Sequence, residues 1–222
     1  MCIRDRACGA EGTTIISNAA REPEIVDLQD FLQKLGADVH GAGTSTITVR
    51  GGGVRHGCVH RCIGDRIAAA TYLCAAAAAG GQVTLRGVDY RHLATVTTAL
   101  GQAGCRLQCT EDSITLESDG HLRAIPPVRT SPYPGFPTDA QAPLMAALLR
   151  SEGAVMFVEN MFDSRYRHVP ELVRMGADIR LEGRVAVVYG TRELHGAAVR
   201  CTDLRGGAAL AIAALQTPDA TL

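Results

Sequence analysis

Two residue patterns in this sequence could do chemistry. The first is His56-x-Cys58-x-His60-x-Cys62, four ligand types suited to zinc. Their alternation predicts a strand, in which same-face side chains stand about 6.6–7 Å apart. A tetrahedral ion with ligands about 2.0–2.3 Å away needs them much closer. Two neighbours could share an ion, but four could not without a sharp bend, so no metal site is expected. The second pattern is a set of acids and arginines at helix starts. Asp65, Asp139 and Asp203 each open an alanine-rich segment, where a carboxylate can cap exposed backbone N–H groups. Arg205 follows two residues after Asp203, and a cation is disfavoured near a helix N-terminus. An anionic partner is the more economical account of it. Lys34 is the only lysine among the 22 basic residues, and arginine's planar fork fits phosphate and carboxylate. Coding bias toward alanine, glycine and arginine explains the same imbalance.

The elements that must position these residues repeat along the chain. Gly12, Gly81 and Gly153 each separate a helix from a β-branched strand, at intervals of 69 and 72 residues. Leu35-Gly36-Ala37-Asp38, Ala103-Gly104-Cys105-Arg106 and Met175-Gly176-Ala177-Asp178 recur at 68 and 72 residues, each reading as a helix stop. Ile25, Leu28, Leu32 and Leu35 form a one-face helical stripe. Alternating runs at Ser45–Val49, Ser113–Glu117 and Val185–Tyr189 predict hairpin strands. An Asp-capped helix from Asp65 to Ala79 leads into a strand from Gln82 to Val88. The circular order is a βαβαββ module of about 70 residues, an α/β fold.

The repeat also bears on both ends of the chain. In its register Arg4, Asp5 and Arg6 fall at buried helical positions, where unpaired charges cost several kcal/mol each if desolvated. Residues 1–6 are therefore expected to be a non-native extension. Leu222 aligns with the first strand of a further unit, so the fold is expected to be truncated at both ends.

The 222 residues, 22 basic and 23 acidic, give a net charge of -1. That balance argues against a nucleic-acid-coating protein. The longest apolar run, Ile67 to Ala79, is too short to span a bilayer. No secretory leader is visible, so the eight cysteines are expected to be reduced thiols, with Cys105 and Cys109 packing beside a strand.

Longer stretches carry a family resemblance. Asn18-Ala19-Ala20-Arg21-Glu22-Pro23-Glu24-Ile25-Val26-Asp27, Phe136-Pro137-Thr138-Asp139-Ala140-Gln141, Arg165-Tyr166-Arg167-His168-Val169-Pro170-Glu171-Leu172, Arg174-Met175-Gly176-Ala177 and Asp203-Leu204-Arg205 occur in this order. From Ala7 to Leu222 the sequence resembles the UDP-N-acetylglucosamine 1-carboxyvinyltransferases, enolpyruvyl transferases that open bacterial peptidoglycan precursor synthesis. The resemblance implies an inside-out α/β barrel built from βαβαββ units. It assigns residues 7–63 to the last unit of an N-terminal domain and 64–222 to a C-terminal catalytic domain whose last unit is incomplete. It further implies a cytoplasmic enzyme that needs no cofactor or metal, with UDP-N-acetylglucosamine and phosphoenolpyruvate as substrates. The family's essential Lys-Asn pair and its loop bearing a catalytic Cys or Asp would lie upstream, in the missing N-terminal domain. The chain alone is therefore expected to be inactive.

Residue by residue, the resemblance makes Asp139 the carboxylate that contacts the sugar hydroxyl, a general-base candidate. Met161 falls at a sugar-nucleotide contact where valine is common. Asp163 and Arg165 match the family's Glu-x-Arg, with the acid shortened. Arg165 and Arg205 match arginines that face phosphoenolpyruvate, and Asp203 is a candidate to assist proton transfer. Gly64-Asp65-Arg66-Ile67-Ala68-Ala69-Ala70-Thr71 departs from the family's usual text, lacking an acid at Ala68. Alternatives are the related 3-phosphoshikimate 1-carboxyvinyltransferase activity, against which the Asn18–Asp27 and Phe136–Gln141 motifs argue, and a non-catalytic small-molecule or metal-binding module.

Overall fold

The computed structural model describes residues 6–201 and 203–222. The expectation for residues 1–6 lies, apart from Arg6, outside them; Arg6 is exposed and opens a short helical turn. The chain divides into two units, one running to Ile63 and including Pro132–Pro134, the other comprising Gly64–Ser131 and Gly135–Leu222.

The first unit contains β1 (Thr13–Ser17), α1 (Pro23–Lys34), β2 (Asp38–His40) and β3 (Thr46–Arg50). Its sheet has the order β1-β3-β2, with both pairings antiparallel. Pro23 sits at the start of α1, where its missing N–H costs nothing. Leu32 and Ala37 from the helix side meet Val39, Ile47 and Val49 from the sheet in a small buried core. Beyond β3, residues 53–64 form no regular element, so the strand expected from His56 to Cys62 is absent.

The second unit repeats this pattern twice. α2 (Arg66–Ala79) leads into β4 (Gly81–Arg86), α3 (Ala94–Gln102), β5 (Arg106–Cys109) and β6 (Ser113–Ser118). After the short strand β7 (Val128–Arg129), α4 (Thr138–Ala147) leads into β8 (Ala154–Val158), α5 (Val169–Arg174), β9 (Asp178–Glu182) and β10 (Val185–Tyr189). A third alanine-rich helix, α6 (Leu204–Ala214), follows. The sheets run β4-β6-β5 and β7-β8-β10-β9, so the last strand of each module lies between the other two of its β-α-β-β set. The expected strand at Gln82–Val88 begins one residue earlier and stops two sooner, because Gly87 takes a positive φ of 74° that ends the extended run.

The placement of helices and sheets follows from side-chain size. α2, α4 and α6 pack on one another, and alanine lets their backbones approach closely. Every residue of α4 from Ala140 to Ala147 is buried, including Pro143. Leu144, Met145, Leu148 and Leu149 are fully enclosed, each worth roughly 1.5–3 kcal/mol of burial. The strands alternate: Val155 and Phe157 of β8 oppose Val188 and Ala186 of β10, and all four face inward. Helices thus fill the interior and sheets present their second face to solvent. Gly104 and Gly176 end their helices at φ 113° and 92°, where a side chain would be strained.

All seven cysteines among the described residues are free thiols. Cys105 is buried as expected, but Cys109 is exposed because it closes the edge strand β5 on its solvent side. Burial pushes the Cys74 and Cys105 thiols upward, which keeps both protonated and inert.

Candidate functional site

The three helix-opening aspartates do different work. Asp65 caps α2, accepting from the N–H groups of Ile67 and Ala68 at 2.8 and 2.9 Å. Asp203 caps α6, accepting from Arg205 and Gly206 at 3.0 and 2.8 Å. Asp139 caps nothing. Pro137 occupies the cap position of α4, which places Asp139 in the first turn of the helix. The expected equivalence of the three acids therefore fails at Asp139, two positions beyond the cap.

Asp139 instead meets two guanidinium groups. Its Oδ1 accepts from Arg165 Nη2, and Arg205 Nε lies 3.3 Å from the same oxygen. Arg165 comes from the loop after β8 and Arg205 from the first turn of α6, so three elements converge. Their side chains are between one-fifth and two-fifths exposed, so the group is open to solvent. Arg165 also lies over the Phe162 ring, 5.3 Å from its centroid. Its Nε is buried and has no hydrogen-bond partner, a donor still in need of an acceptor. Two guanidinium groups thus share one carboxylate, with the Asp203 carboxylate beside the turn that carries Arg205.

Of the other expected site residues, Asp203 adjoins this group, while Asp163 and Met161 make different contacts. Asp163 is exposed and pairs with Arg184. Met161 is exposed, and its backbone N–H is committed to Glu159 Oε1 at 2.7 Å. Asp203 commits its Oδ1 to the helix cap, which fixes the turn that carries Arg205.

Two buried residues that the sequence reading missed hold the loops in place. Glu159 is 1 % exposed. Its Oε1 accepts from Thr130 Oγ1 at 2.9 Å and from the N–H groups of Met161 and Phe162, and its Oε2 accepts from Thr138 Oγ1 at 2.9 Å. One carboxylate thereby ties the loop bearing Arg165 to the start of the helix bearing Asp139. The signal was present: Val155, Phe157 and Glu159 share the inward phase of β8, so an acid there requires a shell of donors. His168, also 1 % exposed, lies in the same loop. Burial pushes its imidazole down to about 4; the Asp203 charge and a backbone contact with Arg165 oppose this, and the Arg165 charge adds slightly to it. It is neutral at pH 7. Tyr166 donates to the Phe157 carbonyl at 3.1 Å, and burial pushes its phenol up to about 12.

Chemically, the cluster can hold an anion between guanidinium forks while a carboxylate beside it accepts a proton. The second oxygen of Asp139 accepts no bond among the described residues and is available to a hydroxyl group.

Known proteins share this framework. The family described as EPSP synthase (3-phosphoshikimate 1-carboxyvinyltransferase) matches residues 6–222. A protein of Zymomonas mobilis named UDP-N-acetylglucosamine 1-carboxyvinyltransferase is 48 % identical over 206 residues, covering 93 % of this chain and 48 % of the relative. A Clostridium acetobutylicum protein named UDP-N-acetylglucosamine 1-carboxyvinyltransferase 2 is 46 % identical over 206 residues, covering 93 % and 49 %. Among solved structures, the enolpyruvyl transferase NikO from Streptomyces tendae superposes with a TM-score of 0.84 at 27 % identity, covering 96 % of this chain and 51 % of that one. EPSP synthase from Acinetobacter baumannii shares the fold, with a TM-score of 0.65 at 22 % identity over 94 % and 51 % of the two chains. The chain spans about half the length of the curated relatives it matches. The repeated modules, their buried alanine-rich helices and these matches place the chain in the EPSP synthase family, with the enolpyruvyl transferase fold.

Proposed function

We propose that this chain supplies the C-terminal catalytic part, with residues 7–63 as the last unit of the preceding domain, of an enzyme that moves the enolpyruvyl group of phosphoenolpyruvate onto the 3-hydroxyl of UDP-N-acetylglucosamine. The observation that carries this is the meeting of Asp139, Arg165 and Arg205, with an unpartnered Arg165 Nε. Phosphoenolpyruvate presents a phosphate and a carboxylate, and forked guanidinium groups fit such oxygens.

In the reaction the sugar hydroxyl adds to the central carbon of phosphoenolpyruvate while the methylene carbon gains a proton. Loss of a proton from that carbon and departure of phosphate then restore the double bond. Asp139 accepts the hydroxyl proton as oxygen attacks. Arg165 and Arg205 neutralise negative charge that grows on the phosphate as its bond breaks, an interaction stronger at the transition state than in the ground state. Asp203 acts by fixing the turn that aims Arg205. Met161 and Asp163 are assigned to the sugar-nucleotide side, where the Met161 backbone, held by Glu159, offers a contact insensitive to side-chain identity. Such an enzyme works in the cytoplasm on peptidoglycan precursors.

Relatives 46–48 % identical carry the UDP-N-acetylglucosamine name, which favours that acceptor over 3-phosphoshikimate. The test is a chimera in which this chain replaces the matching 206 residues of the Zymomonas mobilis relative. Phosphate release from phosphoenolpyruvate should depend on UDP-N-acetylglucosamine and not on 3-phosphoshikimate. Dependence on 3-phosphoshikimate, or no release from a folded chimera, refutes the proposal.

A further inference from the structure

The irregular segment 53–64 carries the alternating histidines and cysteines, and because it is not a strand, the spacing that keeps an extended ladder from sharing an ion does not apply. The chain folds His60 and Cys62 back against α1, beside Asp27. One ligand atom from each of Asp27, His60 and Cys62 lies within 4.8 Å of the other two. His60 Nε2 stands 3.0 Å from Asp27 Oδ1. Two ligands on a tetrahedral zinc, with bonds of about 2.0–2.1 Å, are separated by roughly 3.3 Å. The His60 and Asp27 side chains are only 7 % and 18 % exposed, whereas Cys62 faces solvent and leaves a fourth position open to water. Phe31 packs against the His60 ring at 5.4 Å between centroids and holds it on the helix.

Lys34, the chain's single lysine, places Nζ 3.3 Å from His60 Nδ1. An ammonium group can only donate, so Nδ1 is the acceptor and Nε2–H faces Asp27. A cation thus already sits beside this acid and imidazole. We propose that Asp27, His60 and Cys62 form a binding site for a zinc-class divalent ion, and that Lys34 takes the ion's electrostatic place when the site is metal-free. On binding, the metal takes the Nε2 lone pair and the ring proton passes through solvent to Nδ1. The Cys62 thiol proton leaves to solvent. Lys34, exposed and flexible, swings away because Nδ1 has become a donor. Thiolate and carboxylate then balance the two positive charges of the ion, and the mix of sulfur, nitrogen and oxygen ligands suits zinc or cobalt better than magnesium or calcium.

The test uses the full 222-residue chain and Co(II) as a spectroscopic substitute for zinc. A thiolate-to-cobalt charge-transfer band should grow to about one ion per chain and be displaced by zinc. Cys62→Ser, at an exposed position, should abolish the band with an unchanged circular dichroism spectrum, while Cys58→Ser should keep it. Asp27→Asn should weaken binding by about 10–100-fold. Lys34→Gln should tighten it, because the competing cation is gone. No band, a band that survives in Cys62→Ser, or weaker binding in Lys34→Gln overturns the proposal. All four residues belong to the first unit, so this outcome is independent of the enolpyruvyl transfer test.

Discussion

His168 makes the stability of the second unit depend on pH in a way that can be worked out beforehand. Its ring is 1 % exposed, and burial lowers its pKa from 6.5 to about 4. The Arg165 guanidinium pushes in the same direction and the Asp203 carboxylate opposes it. Below pH 6.5 the unfolded chain binds a proton that the folded chain refuses until about pH 4. The stability from keeping the ring neutral is therefore complete above pH 6.5 and is lost as pH falls toward 4. That gap corresponds to ~3 kcal/mol, of which ~2 kcal/mol is gone by pH 4.5. Urea unfolding followed by far-UV circular dichroism at pH 7 and pH 4.5 measures the loss. Carboxylates add an acid sensitivity of their own, so His168→Leu is the comparison, since it keeps them and removes only the imidazole. The natural chain should lose ~2 kcal/mol more than His168→Leu between the two pH values. Equal losses, or a His168 resonance titrating near pH 6.5, would refute the reasoning.

Three further substitutions probe the supports of the cluster, each read from urea midpoints at pH 7. Asp203→Ala removes the acceptor of two N–H groups at the start of α6 and should cost about 1 kcal/mol. Glu159→Gln turns two of its hydrogen-bond sites from acceptors to donors inside a shell of donors and should cost about 2–3 kcal/mol. Leu148→Ala empties a fully enclosed site at the end of α4 and should cost about 2–5 kcal/mol.

Much of the fold could be read from residue types, because its punctuation is chemical. A left-handed backbone at Gly36, Gly104 and Gly176 demands glycine, so three helix ends announced themselves at nearly constant spacing. Strands with one buried face alternate, which placed β6 and β10 within a residue of their observed bounds. Alternation misled at His56–Cys62, which forms no strand and where the His60 and Cys62 side chains lie beside Asp27 of α1 instead. At the site, Asp139, Arg165 and Arg205 were named in advance and meet in space. The identity of their partners was not legible: Asp139 reads like a cap until Pro137 is seen to occupy that position. Glu159 could have been found from the inward phase it shares with Val155 and Phe157, whereas His168 escaped because its role lies in burial, a property of the packed structure that no short motif carries.

The measurement closest to the central claim is the turnover of Asp139→Asn in the chimera with the Zymomonas mobilis relative. Asparagine keeps the size of the side chain but cannot take a proton, so phosphate release should fall by about 10²–10⁴-fold while circular dichroism stays unchanged. Turnover within a few-fold of the unsubstituted chimera would contradict the assignment of Asp139 as the base.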